Sequence, residues 1–339
     1  MTKIDIFSGF LGAGKTTLIK KLISDAYCGE KLVLIENEFG EIGIDGGFLK
    51  DSGIEITEMN SGCICCSLVG DFGEALKKVL VQFNPDRILI EPSGVGKLSD
   101  VIGAVSSILS EDVVLNSATA VVDASKCKMY MKNFGEFFNN QIENAGCIVL
   151  SRTDIADEAK IKTATELIKG KNDKATIITT PIENITGKDI LNAIEGKESL
   201  DTLKDLLEEK ELCPVCGHHH DHEHEHHHHD EECSCGHHHD HEHEHHHHAD
   251  EVFTSFGKET SKIFTKEEVE TALEHLEDAK KYGAVLRAKG YVNGENGWIY
   301  FDYVPGESNI RIGSPAVTGR ICVIGSDINE EEISALFNI

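Results

Sequence analysis

No apolar run in this chain of 339 residues approaches the roughly 18 residues that cross a bilayer, so a membrane-spanning protein is not expected. The opening MTKIDIFSGF lacks the positively charged, apolar, cleavable pattern of a secretion signal. Basic residues are in deficit, with 32 Lys and Arg against 59 Asp and Glu and a formal net charge of -27. Such a surface repels phosphate backbones, so neither nucleic acid nor membrane is expected as a partner. No nucleophile, base and acid triad stands out. Eighteen of the 19 histidines crowd into one stretch, and the other, His275, sits in a helical pattern beside Leu273 and Leu276. It reads as a surface or boundary residue rather than a catalytic base.

Cysteine is plentiful. Seven of the 11 cysteines fall in three tight clusters: Cys63, Cys65 and Cys66; Cys213 and Cys216; Cys233 and Cys235. Close spacing without an export signal reads as reduced, metal-binding thiol rather than disulfide, and the expected compartment is the cytosol.

The hydrophobic content of 40% suffices for two cores. KIDIF, KLVLIE, DRILIE, ATAVVDA, GCIVL and ATIIT read as strands, and LIKKLI, FGEALKKVL and AKIKTATELI as helices. Short apolar strands with crossover helices predict an α/β fold, a P-loop NTPase parallel sheet with helices on both faces, over residues 1–198. Residues 199–250 read as a linker that opens with an acidic helix from Ser199 to Lys210 leading out of this domain. Residues 251–339 read as a small α+β C-terminal domain. There FTKEEVETALEHL and NEEEISALF are helical, and AVLRAKGYV, GWIYFDYV and GRICVIG are strands.

The linker contains CPVCGHHHDHEHEHHHHDEECSCGHHHDHEHEHHHH. In it the 14-mer CGHHHDHEHEHHHH begins at Cys216 and again at Cys235. A tract without apolar faces builds no stacked repeat and is expected to be disordered without ligand. Neutral imidazole suits zinc, nickel, cobalt and copper. The pairs Cys213/Cys216 and Cys233/Cys235 provide four thiolates for tighter sites.

The nine residues GFLGAGKTT, from Gly9 to Thr17, lie between a strand and a helix. This is a full GxxxxGKT phosphate loop in its required context. Gly9, Gly12, Ala13 and Gly14 let backbone amides face an anion, Lys15 reaches the β and γ phosphates, Thr16 offers its hydroxyl to Mg2+, and Thr17 closes the loop. In ILIEPSG a strand ends in Glu91, a candidate for the Mg2+ shell or for ordering water. Gly94 follows as a candidate amide donor to the γ phosphate. Asp154 in SRTD is placed to accept hydrogen bonds from guanine N1 and its exocyclic amine. The alternative is that Thr153 or Asp154 simply caps the following helix.

GCICC places Cys63, Cys65 and Cys66 within four residues, thiolates suited to zinc, Cu(I) or tetrahedral cobalt. ENEFGE leaves the second strand with Glu36 and Glu41, which could serve both metal and nucleotide. The alternative is a solvated acidic turn.

Together GFLGAGKTT, ENEFGE, GCICC, IEPSG and Asp154, followed by the small second domain, resemble the CobW-type metallochaperone GTPases. These are relatives of the urease and hydrogenase nickel-insertion GTPases. The resemblance implies an internal metal site of Cys63, Cys65 and Cys66 with Glu36 or Glu41 nearby. It places Lys15, Thr16 and Glu91 at nucleotide and Mg2+ positions. It implies GTP hydrolysis coupled to delivery of Zn2+, or of Co2+ or Ni2+, to a client metalloprotein, and a metal- or nucleotide-dependent homodimer is a further expectation. The family's Asn-Lys-x-Asp is here Ser151, Arg152, Thr153, Asp154. Ser151 offers no amide to the base and Arg152 lacks lysine geometry, so weaker guanine discrimination is expected. Two other readings are a metal store that retains the loop, and a metal-sensing regulatory GTPase.

Overall fold

The computed structural model describes residues 1–36, 55–58, 69–211 and 252–339. The first unit alternates strands and helices: β1 (Thr2–Gly9), α1 (Lys15–Asp25), β2 (Leu32–Glu36), β3 (Glu55–Glu58), α2 (Val69–Phe83), β4 (Arg87–Glu91), α3 (Leu98–Ser106) and β5 (Val113–Asp123). There follow α4 (Cys127–Asn133), α5 (Gly135–Glu143), β6 (Cys147–Ser151), α6 (Glu158–Lys169), β7 (Thr176–Ile178), α7 (Gly187–Ile194) and α8 (Lys197–Glu211). The strands form one seven-stranded sheet in the order β3-β2-β4-β1-β5-β6-β7. Every pairing in it is parallel.

Alternation of side chains along each strand feeds two cores. Ile4 and Ile6 of β1, Val33 and Ile35 of β2, and Ile88 and Ile90 of β4 pack with Leu76 of α2, Val101 of α3 and Phe138 of α5. Phe7, Leu34 and Leu89 face the other way, toward Leu18 and Leu22 of α1 and Ile190 of α7. Helices therefore cover both faces, which is why these strands read as continuous apolar runs. The acidic helix expected from Ser199 to Lys210 runs from Lys197 to Glu211. Its first half packs back on the sheet rather than leading away, and Leu203 is buried in the first core.

The second unit comprises β8 (Thr254–Thr260), β9 (Ile263–Phe264), α9 (Lys266–His275), α10 (Ala279–Tyr282), β10 (Ala284–Gly294), β11 (Trp298–Val304), β12 (Glu307–Gly313), β13 (Gly319–Ser326) and α11 (Glu330–Phe337). Its sheet runs β12-β11-β10-β13-β8, with β9 on β10. The Thr265 hydroxyl and the Glu268 carboxylate start α9 with a capping box. One sheet face, with Ile299, Phe301, Tyr303, Ile321 and Val323, packs on Val269, Leu273, Ile333 and Phe337 of the helices. From the other face Cys322 and Ile324 join the first unit's core, as does Phe253. The Phe253 ring lies 5.1 Å from Phe137 and 6.1 Å from Phe10. The sheet of the second unit is thus pressed between its own helices and the first unit. Among the described residues no helix is long and apolar enough to cross a membrane.

Candidate nucleotide and metal site

β1 ends in Gly9 and α1 begins at Lys15, so residues 10–14 wrap the carboxyl end of the central strand. Gly9, Gly12 and Gly14 have φ of 147°, 71° and 99°. A side chain at Gly9 would also strike the Val121 carbonyl, 2.4 Å from a built Cβ. Glycine is required there by sterics before any ligand is considered. Ala13 and Lys15 are buried, and the Lys15 ammonium donates to the carbonyls of Gly9 at 2.9 Å and Phe10 at 3.5 Å. The cation is thereby drawn across the mouth of the loop. Thr17 is exposed on the first turn of α1.

The Thr16 hydroxyl meets the Glu91 carboxylate, 3.0 Å from Oε1 and 3.1 Å from Oε2. Glu91 is the last residue of β4, one strand away from the loop, so the parallel sheet brings together residues 75 positions apart. Glu36, the last residue of β2, pairs in register with Glu91 and is only 6% exposed. It is not a solvated turn residue. An alcohol and two carboxylates at adjoining strand ends form an oxygen-donor set that suits a hard divalent cation.

Gly94 lies beside the phosphate loop. A Cβ there would come within 2.9 Å of the Leu11 amide nitrogen. The buried Gln141 on α5 holds this turn, donating from Nε2 to the carbonyls of Gly94 at 3.2 Å and Gly96 at 2.8 Å. Gln141 was invisible as a positioning residue, because nothing local links it to a turn 45 positions away.

Ser151 ends β6 and is buried, while Asp154 is exposed. The capping alternative for Thr153 or Asp154 fails: Asp157 caps α6, its side chain accepting from the Lys160 amide. Asp154 is therefore not occupied as a helix cap. Arg152 has a positive φ of 58°, uncommon for a side chain of this size. Its guanidinium explains why the conformation is kept. Nε lies 3.1 Å from the Asp123 carboxylate, Nη1 pairs with Glu307, and Nη2 lies 3.5 Å from the Gly12 carbonyl. Asp123 had a signal in the sequence, since it ends its strand as Glu91 does. Burial pushes the nearby Lys126 amine below its ordinary pKa; Asp123 opposes that shift and Arg152 adds to it.

These elements enclose a cavity of about 340 Å³. One wall is Gly12, Lys15, Thr16 and Glu91; the other is Arg287, Asp302, Asn309 and Arg311 of the second unit. The second wall was not anticipated.

Glu41, Cys63, Cys65, Cys66, Cys213, Cys216, Cys233 and Cys235 lie outside the described residues. Of the described cysteines, Cys127, Cys147 and Cys322 are buried, and burial pushes the Cys127 and Cys147 thiols up to about 12. Thiols so reluctant to ionise are poor metal ligands, in keeping with their scattered positions.

Comparison with known proteins identifies the family. Residues 3–179 match the family model described as CobW/HypB/UreG, nucleotide-binding domain. Residues 253–338 match the cobalamin synthesis protein CobW C-terminal domain. The zinc chaperone CobW of a Sinorhizobium species is 31% identical over 57% of this chain and 63% of its own length. The zinc chaperone YjiA of Escherichia coli is 34% identical over 46% of this chain and 51% of its own length. The chain thus spans about half to two thirds of the length of the curated relatives it matches. The crystal structure of Zn(II)-bound YjiA GTPase from E. coli aligns over 99% of this chain and 98% of that one, with 23% identity and a TM-score of 0.44. Because the nucleotide-binding match extends over more than half of its length, the chain belongs to the CobW/HypB/UreG family.

Proposed function

We propose that this chain hydrolyses GTP and uses the cycle to deliver a bound transition metal, zinc foremost, to a client metalloprotein. The observation that carries the proposal is the row formed by Thr16, Glu91 and Glu36. Thr16 hydrogen-bonds Glu91, and Glu36 is the strand neighbour of Glu91. The strand that leads toward the cysteine-bearing segment thus ends at the metal end of the phosphate loop. A change at the γ phosphate has a short path to that segment.

In this reading the amides from Gly9 to Thr17 and the Lys15 ammonium cradle the phosphates. Gly94 offers its amide to the γ phosphate, and Glu91 orders the attacking water. Thr16 and Glu91 would hold Mg2+, which when bound neutralises charge on the β and γ phosphates. Asp154 accepts from guanine. Ser151 contributes no amide and Arg152 is tied to Asp123, so guanine is preferred less strongly than usual. Cys63, Cys65 and Cys66, with Glu36 or Glu41, hold the cargo. The histidine tract and its Cys213/Cys216 and Cys233/Cys235 pairs collect it. The names of the relatives, zinc chaperones and zinc-regulated GTPase metalloprotein activators, support zinc over cobalt or nickel and imply a protein client. Clustered thiols of this kind support a cytosolic location, and metal or nucleotide could join two copies.

The test is metal affinity in a chain lacking residues 213–248, with and without Cys63, Cys65 and Cys66 replaced by Ser. Each is loaded with GDP or with a nonhydrolysable GTP analogue. One tight metal, lost in the triple variant and shifted by nucleotide, is the expected result. No tight metal in the tract-free chain would instead mark a metal store.

A further inference from the structure

We propose that Arg311 of the second unit contacts the nucleotide phosphates, so that GTP is bound and hydrolysed between the two units. The proposal rests on the GTPase reading above and adds a residue from outside the phosphate-loop domain. The chain has only five arginines among its 32 basic residues. Three of the five, Arg152, Arg287 and Arg311, line the one cavity that also contains Lys15, Thr16 and Glu91. Of the other two, Arg87 is buried in an ion pair with Asp5, and Arg320 pairs with Glu259 at 3.0 Å. For so acidic a protein this is a marked concentration of guanidinium groups. Arginine, unlike lysine, matches phosphate with a planar fork of donors.

Strand register puts Arg311 there. Tyr300 pairs with Arg311, Asp302 with Asn309, and Val304 with Glu307. Directly paired residues share a sheet face. Ile299, Phe301 and Tyr303 face the helices, so Tyr300, Asp302 and Val304 face the first unit, and Glu307, Asn309 and Arg311 with them. The tip of this hairpin is anchored on the phosphate loop at two points. Val304 Cγ1 lies 2.4 Å from where a Gly12 Cβ would stand, and Glu307 pairs with Arg152. Farther from the tip, Arg287 is held by Asp302 at 2.9 Å. The Arg311 guanidinium lies 5.8 Å from the Tyr300 ring centroid. That distance is within reach of a cation–π contact, so the ring keeps the guanidinium on the cavity face of the hairpin. The cavity opens on Thr16 and Glu91 and not on Asp154, which marks it as the phosphate end.

In hydrolysis, water forms a bond to the γ phosphorus while the bond to the β–γ bridging oxygen breaks. GDP leaves with that electron pair, and the water proton passes to the released phosphate. Arg311 exchanges no atoms. It neutralises charge that grows on the phosphate oxygens, the role of an arginine finger supplied within one chain. Loss of the γ phosphate then removes a ligand of the second unit directly.

The experiment compares full-length wild type with Arg311→Ala, Arg311→Lys and, as a control away from the cavity, Arg320→Ala. Single-turnover GTP hydrolysis and affinities for GDP and a nonhydrolysable GTP analogue are measured, with thermal melting alongside. Arg311→Ala is expected to slow hydrolysis by at least about tenfold and to weaken the analogue more than GDP. Arg311→Lys should recover part of both, and Arg320→Ala should match wild type. Should Arg311→Ala melt early, the Lys variant decides, since its charge is kept and its fork is lost. Wild-type rates and wild-type preference for the analogue in both Arg311 variants overturn the proposal. A wild type that hydrolyses no more GTP than Lys15→Ala overturns the GTPase reading instead. Arg311 is then judged by analogue affinity alone, which must fall in Arg311→Ala for it to stand.

Discussion

The Thr16 hydroxyl lies 3.0 Å and 3.1 Å from the two oxygens of Glu91, a contact between the first turn of α1 and the end of β4. Replacing Glu91 by Gln keeps the shape and removes the charge. GTP hydrolysis is expected to fall by about a hundredfold. Thr16→Ala should act in the same direction and raise the Mg2+ needed for half-maximal rate. Steady-state rates over a Mg2+ titration check this, and an unchanged rate in Glu91→Gln removes Glu91 from the reaction.

Gly12 and Val304 are coupled across the two units. Gly12→Ala adds a methyl at a φ of 71°, against Val304 Cγ1. It should lower stability by about 1 to 3 kcal/mol. Val304→Ala in the same chain relieves the collision but not the backbone strain. A double-mutant cycle in denaturant should therefore show coupling of about 0.5 kcal/mol or more. Strict additivity would mean that the second unit does not rest on the loop in solution.

At the amino ends of the strands, away from the loop, Arg87 pairs with Asp5, Glu30 and Glu195. Asp5 is 0% exposed and also accepts from Asn116 at 2.7 Å and Ser117 at 2.6 Å. Arg87→Met leaves a buried carboxylate without its cation and should cost about 3 kcal/mol or more. Nucleotide affinity should be unchanged. Equilibrium unfolding and a nucleotide titration on the same sample separate the two effects.

Acid should weaken the fold partly through Glu195. Burial alone would raise its pKa, but hydrogen bonds from Lys3 and Asn116 and the charges of Lys3 and Arg87 outweigh it, so the folded value lies below the ordinary 4.5. A carboxyl group depressed on folding stabilises above its unfolded pKa, and that contribution fades as pH falls through the folded value. Glu195→Gln should lower stability at pH 7 and flatten the loss below about pH 4.5. Denaturant midpoints from pH 7 to pH 3 test it; parallel curves would exclude Glu195.

Much of the phosphate-loop domain was legible because its signals are local. The loop needs glycine at fixed offsets between a strand and a helix, and buried parallel strands read as apolar runs. The elements α3, α4, α5 and α7 were missed because each spans only seven to nine residues, too few turns for an apolar face to repeat along the chain. β12 was missed for a related reason. ESNIRIG is a mostly exposed edge strand whose apolar alternation is confined to Ile310 and Ile312, too short a run to mark it.

Arg287, Asp302 and Arg311 were missed as site residues for a physical reason. Polar side chains alternating with apolar ones describe a half-buried sheet, and the polar face reads as solvated. Only docking of that sheet on the first unit turns its polar face into a wall of the nucleotide cavity.

The sequence by itself determined what depends on neighbours along the chain: the phosphate loop, the strand-end acid Glu91, the thiol and histidine clusters, and the division into a parallel α/β unit and a smaller α+β unit. Tertiary structure decided what depends on strand order and docking. Parallel pairing of β2 with β4 set Glu36 beside Glu91, Gln141 fixed the turn at Gly94, and the Val304 hairpin brought a second unit onto Gly12. Local spacing is carried by covalent geometry and backbone sterics, so it survives in one dimension. Contacts between distant segments come from burial of apolar faces, which specifies that a surface is covered without naming the surface that covers it.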